Sequence, residues 1–136
     1  MANQTAARDA RRQEDNILPY KQAAVDLFAG EIVSLNAAGF AKKGADTASE
    51  KVVGVADKTV RNSTGAAGAK EVRVWTYGVF TFAFSGTATQ ADTGKDVFVM
   101  DSQTVALAAT ATNDIKVGSI VEVLSATSVR VRLIKG

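Results

Sequence analysis

The sequence predicts an all-β protein: a small barrel or sandwich of about seven to eight short strands, preceded by an extended N-terminal arm. Two observations carry this prediction. Short runs rich in Val, Ile, Thr and Phe recur along the chain, and Gly, Asn, Asp and Ser punctuate them at regular spacing. The run over residues 71–85 holds Trp75, Tyr77, Phe80, Phe82 and Phe84, and it is apolar on both faces. Side chains alternate sides along a strand, so one face carries Val72, Val74, Thr76, Gly78, Phe80, Phe82 and Phe84. The other carries Arg73, Trp75, Tyr77, Val79, Thr81 and Ala83. A strand in a small soluble domain normally keeps one face wet. Here either the strand switches at Gly78 as it curls through a barrel, or a second chain covers Arg73, Trp75, Tyr77 and Val79.

The elements follow in order. Residues 1–19 form the arm and 20–136 the β domain. Residues 6–15 are charged on nearly every side and offer no apolar stripe, and a helix this short is marginal in water. Pro19, the chain's one proline, pushes Leu18 toward extended geometry. Asn16, Ile17, Leu18, Pro19 and Tyr20 therefore read as an extended, partly apolar hinge, which is either a frayed terminus or an arm that orders on a partner. A short strand is expected within residues 21–28. Residues 31–36, an Ala-Ala-Gly turn and the segment from Phe40 form a hairpin. The run 52–60 is a strand interrupted at Gly54, a bulge or point of close approach. Residues 62–68 read as a mobile loop. Residues 96–100 and 104–108 form another hairpin, and 115–124 and 129–134 close the chain.

An internal echo accompanies these elements. Gly30-Glu-Ile-Val33 is followed 64 residues later by Gly94-Lys-Asp-Val97, and Val53-Gly54 by Val117-Gly118 at the same spacing. A duplication of this kind favours a pseudo-symmetric barrel.

Composition narrows the chemistry. The 136 residues suffice for one domain that buries about two thirds of its extended surface. There is no cysteine and no histidine, which removes disulfides, thiolate sites, the commonest general base and the commonest metal ligand. No catalytic residue, cofactor site or metal site is expected. Asp92, Asp96 and Asp101 lie close in sequence, but they flank turns, where aspartate caps backbone N–H groups. Gly65-Ala-Ala-Gly68 lacks the Lys-Ser/Thr ending of a phosphate-binding loop. The net charge of +2 is too small for a nucleic-acid field, and Arg8, Arg11 and Arg12 are offset by Asp9, Glu14 and Asp15. Trp75 and Tyr77 beside Arg73 are the one pair suited to stacking, on a base or on a sugar. No apolar stretch is long enough for a membrane helix, and the charged start is no secretory signal. Synthesis and residence in cytoplasm are the default.

Several segments together resemble a known family. They are Gly30-Glu-Ile-Val-Ser-Leu35, Lys51-Val-Val-Gly-Val-Ala56, Tyr77-Gly-Val-Phe80, Gly94-Lys-Asp-Val-Phe-Val99, Val117-Gly-Ser-Ile-Val121 and Val129-Arg-Val-Arg-Leu133. Across residues 20–134 this arrangement is similar to the capsid cement or head decoration proteins of tailed phages. The family's usual Gly-Asp appears here as Gly30-Glu31 and Gly94-Lys95, and the charged arm is long for the family. The resemblance implies a structural virion protein made in the host cytoplasm. It would bind the outer surface of an assembled capsid and cement neighbouring major capsid proteins. It also implies self-association, with trimers at local three-fold points, and no nucleic-acid or membrane partner. Residues 16–20 would then anchor on the shell by adding a strand to a capsid sheet edge. The alternatives are a tail or fibre-associated β module and a carbohydrate-binding domain. An exposed Trp75–Tyr77 platform beside a carboxylate favours sugar, and burial of the pair favours cement.

Overall fold

The computed structural model describes residues 16–133. Its strands are β1 (Ile17–Lys21), β2 (Asp26–Leu27), β3 (Ile32–Leu35), β4 (Ala41–Lys43), β5 (Lys51–Ala56) and β6 (Val60–Arg61). They continue with β7 (Glu71–Trp75), β8 (Val79–Phe84), β9 (Asp96–Val99), β10 (Thr104–Ala106), β11 (Lys116–Ser125) and β12 (Ser128–Leu133). One 3-10 turn, Gln90–Asp92, is the sole helical element among the described residues. A five-stranded sheet runs β1-β7-β5-β3-β4, a closed barrel runs β10-β8-β12-β11-β9, and β2 pairs with β6. The protein is all-β, as expected, with more strands than the seven or eight read from sequence. β2 falls within the short strand expected over residues 21–28, and the surplus comes from β6, too short to show a period, from β1, and from the division of residues 71–85. That run is two strands in two sheets, parted around Gly78, whose φ of 132° suits glycine.

The echo at 64 residues is structural. Gly30 N–H donates to the Ala56 carbonyl at 2.9 Å, and Gly94 N–H donates to the Ile120 carbonyl at 2.8 Å. Ala56 N–H returns to the Glu31 carbonyl and Ile120 N–H to the Lys95 carbonyl, both at 2.9 Å. β1 on β7 has the register of β8 on β12: Leu18 faces Val74 as Phe80 faces Val131, and Tyr20 faces Val72 as Phe82 faces Val129. β3 and β5 likewise match β9 and β11. Two copies of one five-strand unit therefore follow each other, instead of halves of one pseudo-symmetric barrel. Closure is where they differ. In the second repeat β10 pairs in parallel with β8 at Thr104–Ala83 and Val105–Phe84, which seals the ring. In the first repeat the matching seam is held by one parallel bridge, Gln22–Ala41. Gln22 sits where the second repeat has Phe84. Its side-chain amide instead donates to the carbonyls of Val25 at 2.6 Å and Val60 at 2.8 Å, tying down the β2–β6 excursion.

The loop after β6 is anchored, contrary to the mobile loop expected from its composition. Buried Asn62 donates its side-chain amide to the carbonyls of Ala23 at 3.1 Å and Ala66 at 3.0 Å. Gly68 N–H donates to the Gln22 carbonyl at 2.8 Å.

Two apolar clusters form the core. Leu27, Val33, Ala41, Ala56, Val72 and Val74 fill the first repeat, with Tyr20 packed against them. The second cluster fills the barrel with Phe82, Phe84, Val97, Val99, Val105, Ile120, Val131 and their neighbours, and it takes in Ile32 and Val55 from the first repeat. β3 and β5 are therefore apolar on both sides, and this joins the repeats. Each large aliphatic side chain buried there contributes about 1.5–3 kcal/mol. Polar ties run alongside. Ile32 N–H donates to the Ser102 carbonyl at 2.8 Å. The Asp46 carboxylate accepts the N–H groups of Thr112 at 2.8 Å and Asn113 at 2.9 Å.

Gly54 and Gly118 occupy the same place in the two repeats, and both meet a neighbouring strand at close range. A Cβ at Gly54 would lie 1.9 Å from the Trp75 carbonyl oxygen, and one at Gly118 would lie 1.9 Å from that of Arg132. Backbone on the far side cannot yield without breaking the ladder, so Gly54→Ala and Gly118→Ala should each destabilise the protein by about 2–3 kcal/mol. Urea denaturation of the two variants checks this, and a midpoint unchanged from wild type would show that the strands can part at no cost.

Candidate functional site

Residues proposed as arm anchors belong to the sheet. β1 pairs with β7 from Ile17–Trp75 to Lys21–Glu71, and the Asn16 carbonyl accepts Thr76 N–H at 2.8 Å. With hydrogen bonds at the Asn16–Thr76 and Gln22–Lys70 ends, alternation places Pro19 in a non-hydrogen-bonded pair with Arg73. Its missing N–H therefore lies on the outer edge, where proline is tolerated and blunts strand addition. Tyr20 turns inward onto the first core cluster. Asn16 and Pro19 are exposed, while Ile17 and Leu18 are half-buried. The segment 17–20 is thus already paired and is not a free strand awaiting a capsid edge, so the sheet takes in residues 17–19 that the sequence reading assigned to the arm. The charged residues 6–15, with Arg8, Arg11 and Arg12, lie outside the described residues, as do Ile134 and Lys135.

Arg73, Trp75, Tyr77 and Val79 lie together on the crossing from sheet to barrel, and all four are exposed. Trp75 is 36% accessible, Tyr77 42% and Val79 46%. The crossing at Gly78 keeps Val72, Val74, Phe82 and Phe84 buried on one face of this run and leaves Arg73, Trp75 and Val79 exposed on the other. The Trp75 indole N–H donates to the Asp57 carboxylate at 3.0 Å, which fixes the ring while leaving much of it in solvent. Cross-strand partners share a face, so Ile17, Trp75, Val55 and Ile32 form one row across β1, β7, β5 and β3. The buried half of that row, Val55 and Ile32, packs with the second repeat. The outer half, Trp75 and Ile17, continues the same apolar surface into water. The matching row of the second repeat is Val79, Arg132, Ser119 and Asp96, and it is mostly polar.

The carboxylates do structural work. Asp92 accepts Thr89 N–H at 2.9 Å and pairs with Lys95 at 3.0 Å. Asp96 pairs with Lys116 at 3.2 Å and accepts Ser119 Oγ–H at 3.0 Å. Asp101 accepts Gln103 N–H at 2.8 Å. Asp92 and Asp101 fill the turn-capping roles expected from sequence, whereas Asp96 opens β9 and bonds side chains of β11 across the sheet. Among the described residues no group of three or more Asp, Glu, His or Cys is placed to hold a metal.

Sequence reasoning missed a cluster at the junction of the repeats. Phe28 is 40% exposed, with Lys43 Nζ 4.6 Å and the Arg61 guanidinium 5.1 Å from its ring centre. Beside it, buried Glu31 accepts Lys43 at 2.6 Å and Phe28 N–H at 2.8 Å. An open cleft of about 370 Å³ separates Phe28–Glu31 from Thr81, Phe82, Ala83 and Gln103. Only topology brings these residues together, and no local spacing announces them.

No protein-family model matches this chain, and no curated protein matches its sequence.

Hydrogen bonding sets the acid response. Thr112 and Asn113 N–H groups hold Asp46 below its usual value, and Ser63 N–H does the same for Asp26. Thr89 N–H followed by Lys95 lowers Asp92, and Lys116 followed by Ser119 lowers Asp96. Burial pushes Glu31 up, but Lys43, Ser102 and Phe28 N–H outweigh it and leave a net lowering. Each group binds protons more weakly folded than unfolded. Its contribution is complete above the unfolded carboxylate range, roughly pH 4, and is lost as pH falls through the lower folded value. Urea midpoints should therefore hold steady from neutral pH to about 5 and drop below about 4. Asp46→Asn should show a shallower acid decline than wild type, and an identical slope would remove Asp46 from this account.

Proposed function

We propose that this protein is a structural virion component that binds the outer surface of an assembled phage capsid and cements neighbouring capsid proteins. One observation carries the reading: two joined β units hold a rigid, exposed strip, Trp75, Tyr77 and Val79, on their outside. Aromatic side chains fixed in place lose little conformational freedom on docking, and Trp and Tyr dominate binding energy at such contacts. The sequence resemblance agrees with it. The repeated Gly30-Glu31 and Gly94-Lys95 motifs open equivalent strands, and the repeated Val-Gly motifs mark equivalent close approaches. A cement needs little affinity per copy, because many copies act on one lattice and bridging gains from multivalency. The strip serves either the shell or a sister subunit, in an oligomer such as a trimer. In this role the protein has no catalytic site and requires no cofactor, nucleic acid or membrane, and it resides on the capsid exterior.

A carbohydrate-binding module is the second reading. The exposure of Trp75 and Tyr77 beside Asp57 favours it, since stacked rings with a nearby carboxylate suit a sugar.

Mixing the purified protein with empty assembled capsids should give saturable co-sedimentation, density on the shell surface by electron microscopy, and greater heat resistance of the shell. Deleting residues 1–15 should leave the fold intact, because β1 begins at Ile17, and should weaken capsid binding. Absence of capsid binding together with retention on immobilised glycans would replace the cement reading with the sugar reading.

A further inference from the structure

The contact that joins the repeats is head to tail. The outer face of β3 and β5, with Ile32, Val52 and Val55, enters the core cluster of the second repeat. It closes the end of the barrel marked by the β9–β10 turn and the start of β11. There Val99, Val117 and Leu133 are buried, and Ile115 packs against them. Ile32 N–H donates to the Ser102 carbonyl of that turn at 2.8 Å. Each unit therefore has a face that plugs and an end that is plugged, and these are different surfaces. Such a contact does not limit itself: repeated between copies, it gives rings or fibres.

Both unused surfaces of the tandem carry other chemistry. At the 64-residue spacing Ile32, Val52 and Val55 become Asp96, Lys116 and Ser119. These three hold one another, Asp96 with Lys116 at 3.2 Å and with Ser119 Oγ at 3.0 Å. Phe98 adds bulk to this face where the first repeat has buried Ser34. At the free end of the first repeat, exposed Lys51 stands for Ile115 at the same spacing. Thr76 stands for Leu133, since its N–H donates to the Asn16 carbonyl as Leu133 N–H donates to that of Gly78. Leu35 and Val53, counterparts of buried Val99 and Val117, are half-buried.

We propose that Asp96, Phe98, Lys116 and Ser119 at one end, and Lys51 and Thr76 at the other, are terminal caps that bar a second copy of this chain from extending the tandem through the joint between repeats. Stacked arrays need polar outer faces on their terminal units to stay soluble. Covering the Asp96–Lys116 pair would strip water from both charges, a cost that their mutual attraction does not reliably offset. Asp96 is already committed to Lys116 and Ser119, so an approaching end offers it little that it lacks. The Lys51 ammonium would lose its hydration in the same contact. The internal joint carries no such cost, because Ile32, Val52 and Val55 gain from leaving water. These caps hold whether or not the protein binds a capsid, and they confine self-association to the sides of the molecule.

Rebuilding the joint at each end tests this. The variant Asp96→Ile/Phe98→Ser/Lys116→Val/Ser119→Val restores the plugging face, and Lys51→Ile/Thr76→Leu restores the plugged end. In sedimentation equilibrium an equimolar mixture of the two should form a one-to-one complex at least about tenfold tighter than either forms with itself or with wild type. A chain carrying all of these changes should polymerise, its mean mass rising with concentration. Two folded variants that mix without associating would overturn the proposal, and so would a face variant that binds itself as tightly as its complement. The chain has no cysteine, so a second arm needs no rebuilt surface. Molecules bearing Ser119→Cys and molecules bearing Lys51→Cys, mixed with a short bismaleimide, should cross-link no faster than a control pair bearing Lys58→Cys and Lys70→Cys. This arm decides the matter if a rebuilt variant loses the wild-type circular-dichroism spectrum. Faster joining of positions 119 and 51 would show copies already meeting end to end, and the caps would fall.

Discussion

The architecture depends on β3 and β5 being apolar on both sides. Strands of a half-exposed sheet ordinarily send one face to water. Here Val33 and Ala56 look into the first repeat while Ile32 and Val55 complete the core of the second. Each repeat alone is a small five-strand unit with a limited core, in the size range where burial barely offsets conformational entropy. Sharing two central strands lets the units stabilise each other. It also fixes their relative placement, because a packed interior does not deform continuously. The hydrogen bonds of Asp46 to Thr112 and Asn113 then set the angle of two loops that packing alone would leave free.

Much of this was legible in the sequence. The hairpins at residues 31–43 and 96–106, the final pair, and the exposed arginines of β12 follow from alternation, which a single buried face imposes. Gly54 was readable as a point of close approach, and the 64-residue echo as a duplication, because only glycine admits a neighbouring carbonyl at that distance. What was not legible depended on tertiary pairing. Residues 17–20 look like a hinge because Pro19 interrupts any strand pattern, yet an edge position with a non-hydrogen-bonded partner accepts it. Gln22 and Asn62 are polar residues in a polar stretch, and nothing local shows that their amides are buried and spent on backbone carbonyls. The exposed strip was half legible: its residues were identified, and the structure leaves Arg73, Trp75 and Val79 exposed instead of covering them as the strand curls into the barrel.

The two repeats have diverged where they meet the surroundings and remained alike where backbone meets backbone. Equivalent hydrogen bonds persist at the Gly30 and Gly94 turns, while the outer rows differ: Ile17 and Trp75 in one, Val79 and Arg132 in the other. Backbone geometry tolerates little variation, whereas a surface side chain is free to change. The asymmetry is greatest at the join between the repeats, where Trp75 and Val79 lie.

The single bridge between Gln22 and Ala41 has a mechanical consequence. A sealed ring spreads tension over all its rungs, but a ring laced at one point yields there and opens like a cuff. At the seam of the N-terminal unit the amides of Gln22 and Asn62 are the stitches, so opening that cuff means breaking side-chain bonds where the barrel would have to break strand pairing.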